Sequence, residues 1–157
     1  MRGPSVRLSF NPCAYPSAGA KWVGKKSTSW YGRPIASRVA EDVAGVCDLF
    51  APTAEFRFVA APKAEAHSFA ATGQPALRPL MEQLVKTFHL KDFSLKAVLI
   101  DGNRVAAHWN ARVRSTVNGQ EVVTDVLDLM EVRDGKIVSF IEFCDTAMVD
   151  RMTAAAA

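Results

Sequence analysis

From residue 93 onward, apolar and polar positions alternate with a period of two, in four runs: 93–100, 104–117, 120–132 and 136–144. Alternation of this kind places successive side chains on opposite faces of a strand. The runs are separated by Asp101-Gly102-Asn103, Asn118-Gly119 and Arg133-Asp134-Gly135, residues suited to hairpin turns. Before residue 93 the spacing is helical. Pro34 suits a first helical position, and Val39, Val43, Val46, Cys47 and Phe50 then share one face. Pro52 closes that segment, and 55–60 reads as a short strand. Residues 61–74 form a loop with His67, Phe69 and Gly73, and Leu77, Leu80, Met81, Leu84, Val85 and Phe88 mark a second amphipathic helix. Pro79 sits at or just after its first turn, where a missing N–H costs least. Asp145 is placed to cap a closing segment, 146–152. Helices first and a meander afterwards imply an α+β fold, a curved antiparallel sheet with helices packed on one face.

A chain of 157 residues, 49% hydrophobic, suits one domain with one core. No apolar run approaches the ~18–20 residues of a membrane span. Cys13, Cys47 and Cys144 form neither a disulfide framework nor a zinc spacing, which points to a reducing compartment, the cytoplasm. No glycine loop for phosphate, no HExxH and no CxxC is present, so neither a metal nor an organic cofactor is expected. Charge is uneven. Arg2, Arg7, Lys21, Lys25, Lys26 and Arg33 fall in residues 1–33 with no acid among them, so the remainder is net acidic although the whole chain is +3. This Pro-, Gly- and Ser-rich block reads as a disordered or loosely docked extension. A nucleic-acid arm ranks well below that, because aromatics do not interleave with the basic residues. The domain is then 34–152, followed by an alanine tail, 153–157.

The hairpins determine which side chains share a face. A two-residue turn at Asn118-Gly119 sets Trp109 opposite Asp128 and Ala111 opposite Val126. A three-residue turn at 133–135 sets Asp128 opposite Phe140 and Val126 opposite Glu142. One face then carries Trp109, Ala111, Val126, Asp128, Met130, Phe140, Glu142 and Cys144. The other carries Leu127, Leu129, Ile141 and Phe143. With both faces apolar, helices are expected to cover one and a partner subunit the other. Asp128 and Glu142 fall diagonally on an apolar face, where desolvation and mutual repulsion keep one of them protonated, the setting of general acid–base chemistry. The plainer reading is a wet rim, or a hydrogen bond to the Trp109 indole. A one-residue error in either turn would swing one acid outward.

The run 49–58 (LFAPTAEFRF), Gly73 before the second helix, Asp134-Gly135-Lys136-Ile137 and Glu142-Phe143-Cys144-Asp145-Thr146-Ala147 resemble the SnoaL-like, ketosteroid-isomerase-like superfamily, over about residues 35–150. The resemblance implies the nuclear transport factor 2 fold, a cone of bent sheet and helices around an apolar pocket, commonly dimeric. Asp125-Val126-Leu127-Asp128-Leu129-Met130 is similar to the ketosteroid isomerase strand whose second Asp is a protonated oxyanion-hole donor, and Asp128 takes that place. Phe58 stands where the isomerase has its base, and its oxyanion Tyr falls near Pro34, with Tyr31 close in sequence. Against limonene-epoxide hydrolase, Glu142 matches the last-strand Asp, whereas Trp109 and Ala111 occupy the places of the Arg and the other Asp.

Residues and resemblance together point to a cofactor-independent enzyme of isomerase, dehydratase or epoxide-hydrolase type acting on a small apolar ligand. Asp128 would be the protonated donor and Glu142 the base, with Phe58, Trp109, Val126, Met130, Phe140 and the loop residue His67 shaping the pocket. The alternative is a non-catalytic ligand-binding or dimerisation module of the same fold. Cys144 reads as a buried neutral thiol, His89 as a residue at a helix end, and His108 as facing away from Trp109.

Overall fold

The computed structural model describes residues 33–59 and 69–155. The basic extension up to residue 32, Tyr31 within it, His67 and the last two alanines lie outside the described residues. Where the apolar spacing predicts one helix, the chain forms two, α1 (Arg33–Val39) and α2 (Val43–Asp48). Glu41 takes φ 57°, which no right-handed helix admits. Asp42 then caps α2, its carboxylate accepting the Gly45 N–H at 2.8 Å. Phe50, expected to end the helix, instead opens β1 (Phe50–Val59). Pro52 lies inside β1, between Phe50 and Glu55, where pairing with the neighbouring strand shifts register, so its missing N–H is tolerated.

Part of the expected loop is a short strand, β2 (Ala70–Thr72), antiparallel to β1. Gly73 follows with φ 75°, and a Cβ there would meet the Pro52 carbonyl at 3.3 Å. It turns the chain into α3 (Gln74–Thr87), which holds Pro79 and buries Leu77, Met81, Leu84 and Val85. No turn separates α3 from β3 (Phe88–Asp101). His89 therefore sits in a strand, opposite Arg114, and not at a helix end. β4 (Arg104–Ser115), β5 (Glu121–Arg133) and β6 (Lys136–Phe143) complete the meander. The last helix, α4 (Thr146–Thr153), is capped by Asp145, whose carboxylate accepts the Met148 N–H at 3.1 Å.

The sheet runs β2-β1-β6-β5-β4-β3. It is curved and unclosed, and antiparallel except where β1 lies parallel to β6. Among the described residues, no helix is long and apolar enough to cross a membrane. Both central registers differ from expectation, and in both the face assignment survives. Arg114 opposes Glu121 and Ser115 N–H donates to the Gln120 carbonyl at 2.9 Å, so the β4–β5 loop is two residues longer than a tight turn. Trp109 consequently opposes Val126, and Asp128 opposes Ala107. At the β5–β6 hairpin Arg133 opposes Lys136, with Asp134 and Gly135 both at positive φ (50° and 72°), the form that a two-residue hairpin favours. Continued without interruption, that register would turn Glu142 outward. A bulge between Ile137 and Ser139 absorbs one residue and returns Glu142 to the inner face, directly opposite Asp128.

Candidate active site

The pairings align inner-face residues in rows across the strands. Phe58, Glu142, Asp128, Ala107 and Val98 form one row, each opposite the next. On one side of it lies the row Phe56, Phe140, Met130, Val105, and on the other Val126 and Trp109. The first of these flanking rows is solid core, with Phe140 stacked on Phe56 at 5.5 Å and tilted against Phe50 at 5.8 Å. The cavity lies toward the other side, a narrow space of about 40 Å³ that opens to solvent, and Phe58, Trp109, Val126 and Glu142 are on its wall. Met130 and Phe140, expected to line it, do not, because they sit one row deeper under the helices. Leu84 and Phe88, at the junction of α3 and β3, close another side, and Met148 and Val149 of α4 a third.

Asp128 and Glu142 are opposed cross-strand neighbours, 0% and 3% exposed. Asp128 lies behind the cavity wall and does not present its carboxyl to the interior. Its Oδ2 accepts the indole N–H of Trp109 at 2.7 Å, the plainer of the two arrangements the sequence offers. Its Oδ1 has no hydrogen-bond partner among the described residues. Burial, and then the charge of Glu142, push the Asp128 carboxyl well above the usual carboxylate range, against the smaller opposing effects of the Trp109 hydrogen bond and Arg38. Glu142 Oε2 accepts from Arg38 Nη1 at 2.6 Å, an ion pair whose side chains are only 11% and 5% exposed. Two carboxylates this close do not both ionise in apolar surroundings. The guanidinium lies against Glu142, so the pair carries its charge there and its proton on Asp128.

Arg38 escaped the sequence reading. It comes from α1, three residues after the buried Ile35, so a cation interrupts a buried helical face. That was the available signal, obscured because the expected face ran through Val39 and Val43. Cys144 also lines the cavity. Burial first, and Glu142 next, push its thiol up to about 12, so it stays protonated. His108 is on the outer face, 3.0 Å from Asp125. Among the described residues no cluster of His, Cys, Asp or Glu could hold a metal ion.

The profile of the SnoaL-like domain matches residues 35–140. Among solved structures, the fold is shared with a proposed isomerase from Bacillus subtilis, at TM-score 0.74 and 20% identity over 85% of this chain and 97% of that one. It is shared too with a protein of ketosteroid isomerase-like fold from Catenulispora acidiphila DSM 44928 in complex with trimethylamine, at 0.68 and 11% over 82% and 95%. A third is an LEH-like epoxide hydrolase from M. tuberculosis, at 0.62 and 14% over 80% and 86%. At these identities the likeness is one of fold. No curated protein matches the sequence significantly.

Proposed function

The chain belongs to the SnoaL-like family, and we propose that within it this protein is a cofactor-independent acid–base enzyme acting on an apolar small molecule. Glu142 is the proton-transferring group of this reading. The observation that carries it is a carboxylate on the wall of an otherwise apolar cavity, held by one guanidinium and backed by a second, buried acid. Arg38 fixes the orientation of this carboxylate, as a positioned general base requires. Asp128 acts through Glu142. By holding the pair's proton it leaves the charge on the oxygen atoms nearest the cavity, and Trp109 holds it in place. Phe58, Trp109 and Val126 shape the wall, and His67 belongs to the segment between β1 and β2. The proposed isomerase and the LEH-like epoxide hydrolase among the proteins sharing the fold support proton transfer as the reaction type.

The test is base-catalysed ring opening of 5-nitrobenzisoxazole, a flat apolar carbon acid. The wild-type chain is expected to exceed Glu142→Gln by about a hundredfold, the lower range for a positioned general base. Equal rates in two folded proteins would overturn the base role. They would favour the second reading, a ligand-binding module, which the closure of Arg38 upon Glu142 in the structure itself supports.

The same reading makes the protein a homodimer through its outer sheet face. Leu99, Ala106, Leu129 and Ile141 align there in one row, and Ala97, His108, Leu127 and Phe143 in the next. Leu99, Leu127, Leu129 and Phe143 are exposed. The row beyond Leu99 is charged, with Asp101, Arg104 and Glu131, which gives the apolar centre and polar rim of a protein interface.

A further inference from the structure

Building on the reading of this cavity as a ligand site, we propose that it selects hydrophobic monoanions, an apolar ring system bearing a carboxylate or enolate, and that Arg38 is the selecting residue. Its polar wall consists of Arg38, Thr124, Glu142 and Cys144. Thr124 donates its hydroxyl to the Asp125 carbonyl at 3.3 Å, and a thiol is a weak partner in either role. One oxygen of Glu142 is already taken by Arg38. A guanidinium offers five N–H donors, and that of Arg38 makes a single hydrogen bond among the described residues, to Glu142.

Most of the Arg38 N–H groups therefore have no partner among the described residues, and a ligand rich in acceptors completes them. A carboxylate takes two parallel N–H groups of a guanidinium plane, the pairing that plane is shaped for. An alcohol supplies one oxygen. An ammonium brings only donors, which the unpartnered Arg38 N–H groups cannot use, and is repelled by the Arg38 charge. The rings of Phe58, Phe69 and Trp109 on the wall suit an aromatic body.

The experiment is calorimetric titration of the full chain with 2-naphthoate, 2-naphthalenemethanol and 2-naphthylmethylamine, which differ only in head group. Naphthoate is expected to bind about tenfold more tightly than either, the margin of charge-assisted over neutral hydrogen bonds. Arg38→Gln keeps an N–H donor for Glu142 and removes the charge. It should erase the preference, with naphthoate losing about tenfold more affinity than the alcohol, and Arg38→Lys should restore only part of it. A thermal melt of each variant establishes that it is folded. Tightest binding of the amine, equal binding of all three, or a naphthoate preference that survives in Arg38→Gln would overturn the selectivity while leaving the ligand site intact. Failure of all three to bind would remove the ligand site itself.

Discussion

Asp128 combines complete burial, one unpartnered oxygen and a neighbouring carboxylate, and its proton has a thermodynamic consequence. Its folded-state affinity for protons exceeds that of the unfolded chain, so the folded protein binds more protons over the interval between the two pKa values. Stability therefore falls as pH rises through that interval, by about 1.4 kcal/mol per pH unit for one retained proton. Melting temperatures of the wild type are expected to drop between pH 5 and pH 8, whereas Asp128→Asn, which has no proton to lose, should follow a flatter curve and melt higher at pH 8. Parallel curves would show that Asp128 is ionised in the fold. Trp109→Phe removes the one hydrogen bond that this carboxyl makes among the described residues and should lower stability by about 1–3 kcal/mol in urea titration, the cost of leaving a buried acceptor bare.

Among the elements, α4 supplies Met148 and Val149 to the cavity wall. Polar contacts hold it at both ends. Asp145 caps its start, while Asn118 in the β4–β5 loop donates to the Arg151 and Ala154 carbonyls at 2.8 and 3.0 Å. Asp145→Ala should cost about 1 kcal/mol, and amide exchange in 146–153 should accelerate while β4 and β5 stay protected. The face assignment of the strands was legible because it depends only on parity. The β4–β5 loop differs from expectation by a whole pair of residues, and the β5–β6 turn differs by one residue that the bulge recovers. Asp128 and Glu142 thus reach the expected face through unexpected partners. The break at Glu41 was not legible, since it lies in backbone conformation while the apolar spacing continues across it. The α3–β3 junction was hidden for a related reason, as no Gly or Pro marks Phe88 or His89. Cavity depth was beyond reach as well: Met130 and Phe140 share a face with Glu142, and only the placement of the helices separates core from wall.

For the whole molecule, the helices cover one face of the sheet, and the outer face, with Leu99, Leu127, Leu129 and Phe143 exposed, is the one the proposed dimer would cover. Light scattering of the purified chain is expected to give twice the 17.1 kDa of the monomer, and Leu127→Lys with Leu129→Glu should return it to that mass with its circular dichroism intact. A monomeric wild type would remove the outer face from the reading. The alternation along β5 also bears on how such a protein can diversify. Val126, Asp128 and Met130 belong to the interior, while Leu127 and Leu129 between them belong to the outer face. A stretch in which every position already answers to one side or the other leaves little room for neutral drift. New specificities are therefore to be sought in the helical cover, at Leu84, Met148 and Val149, where the wall can be recast without touching the outer face of the sheet.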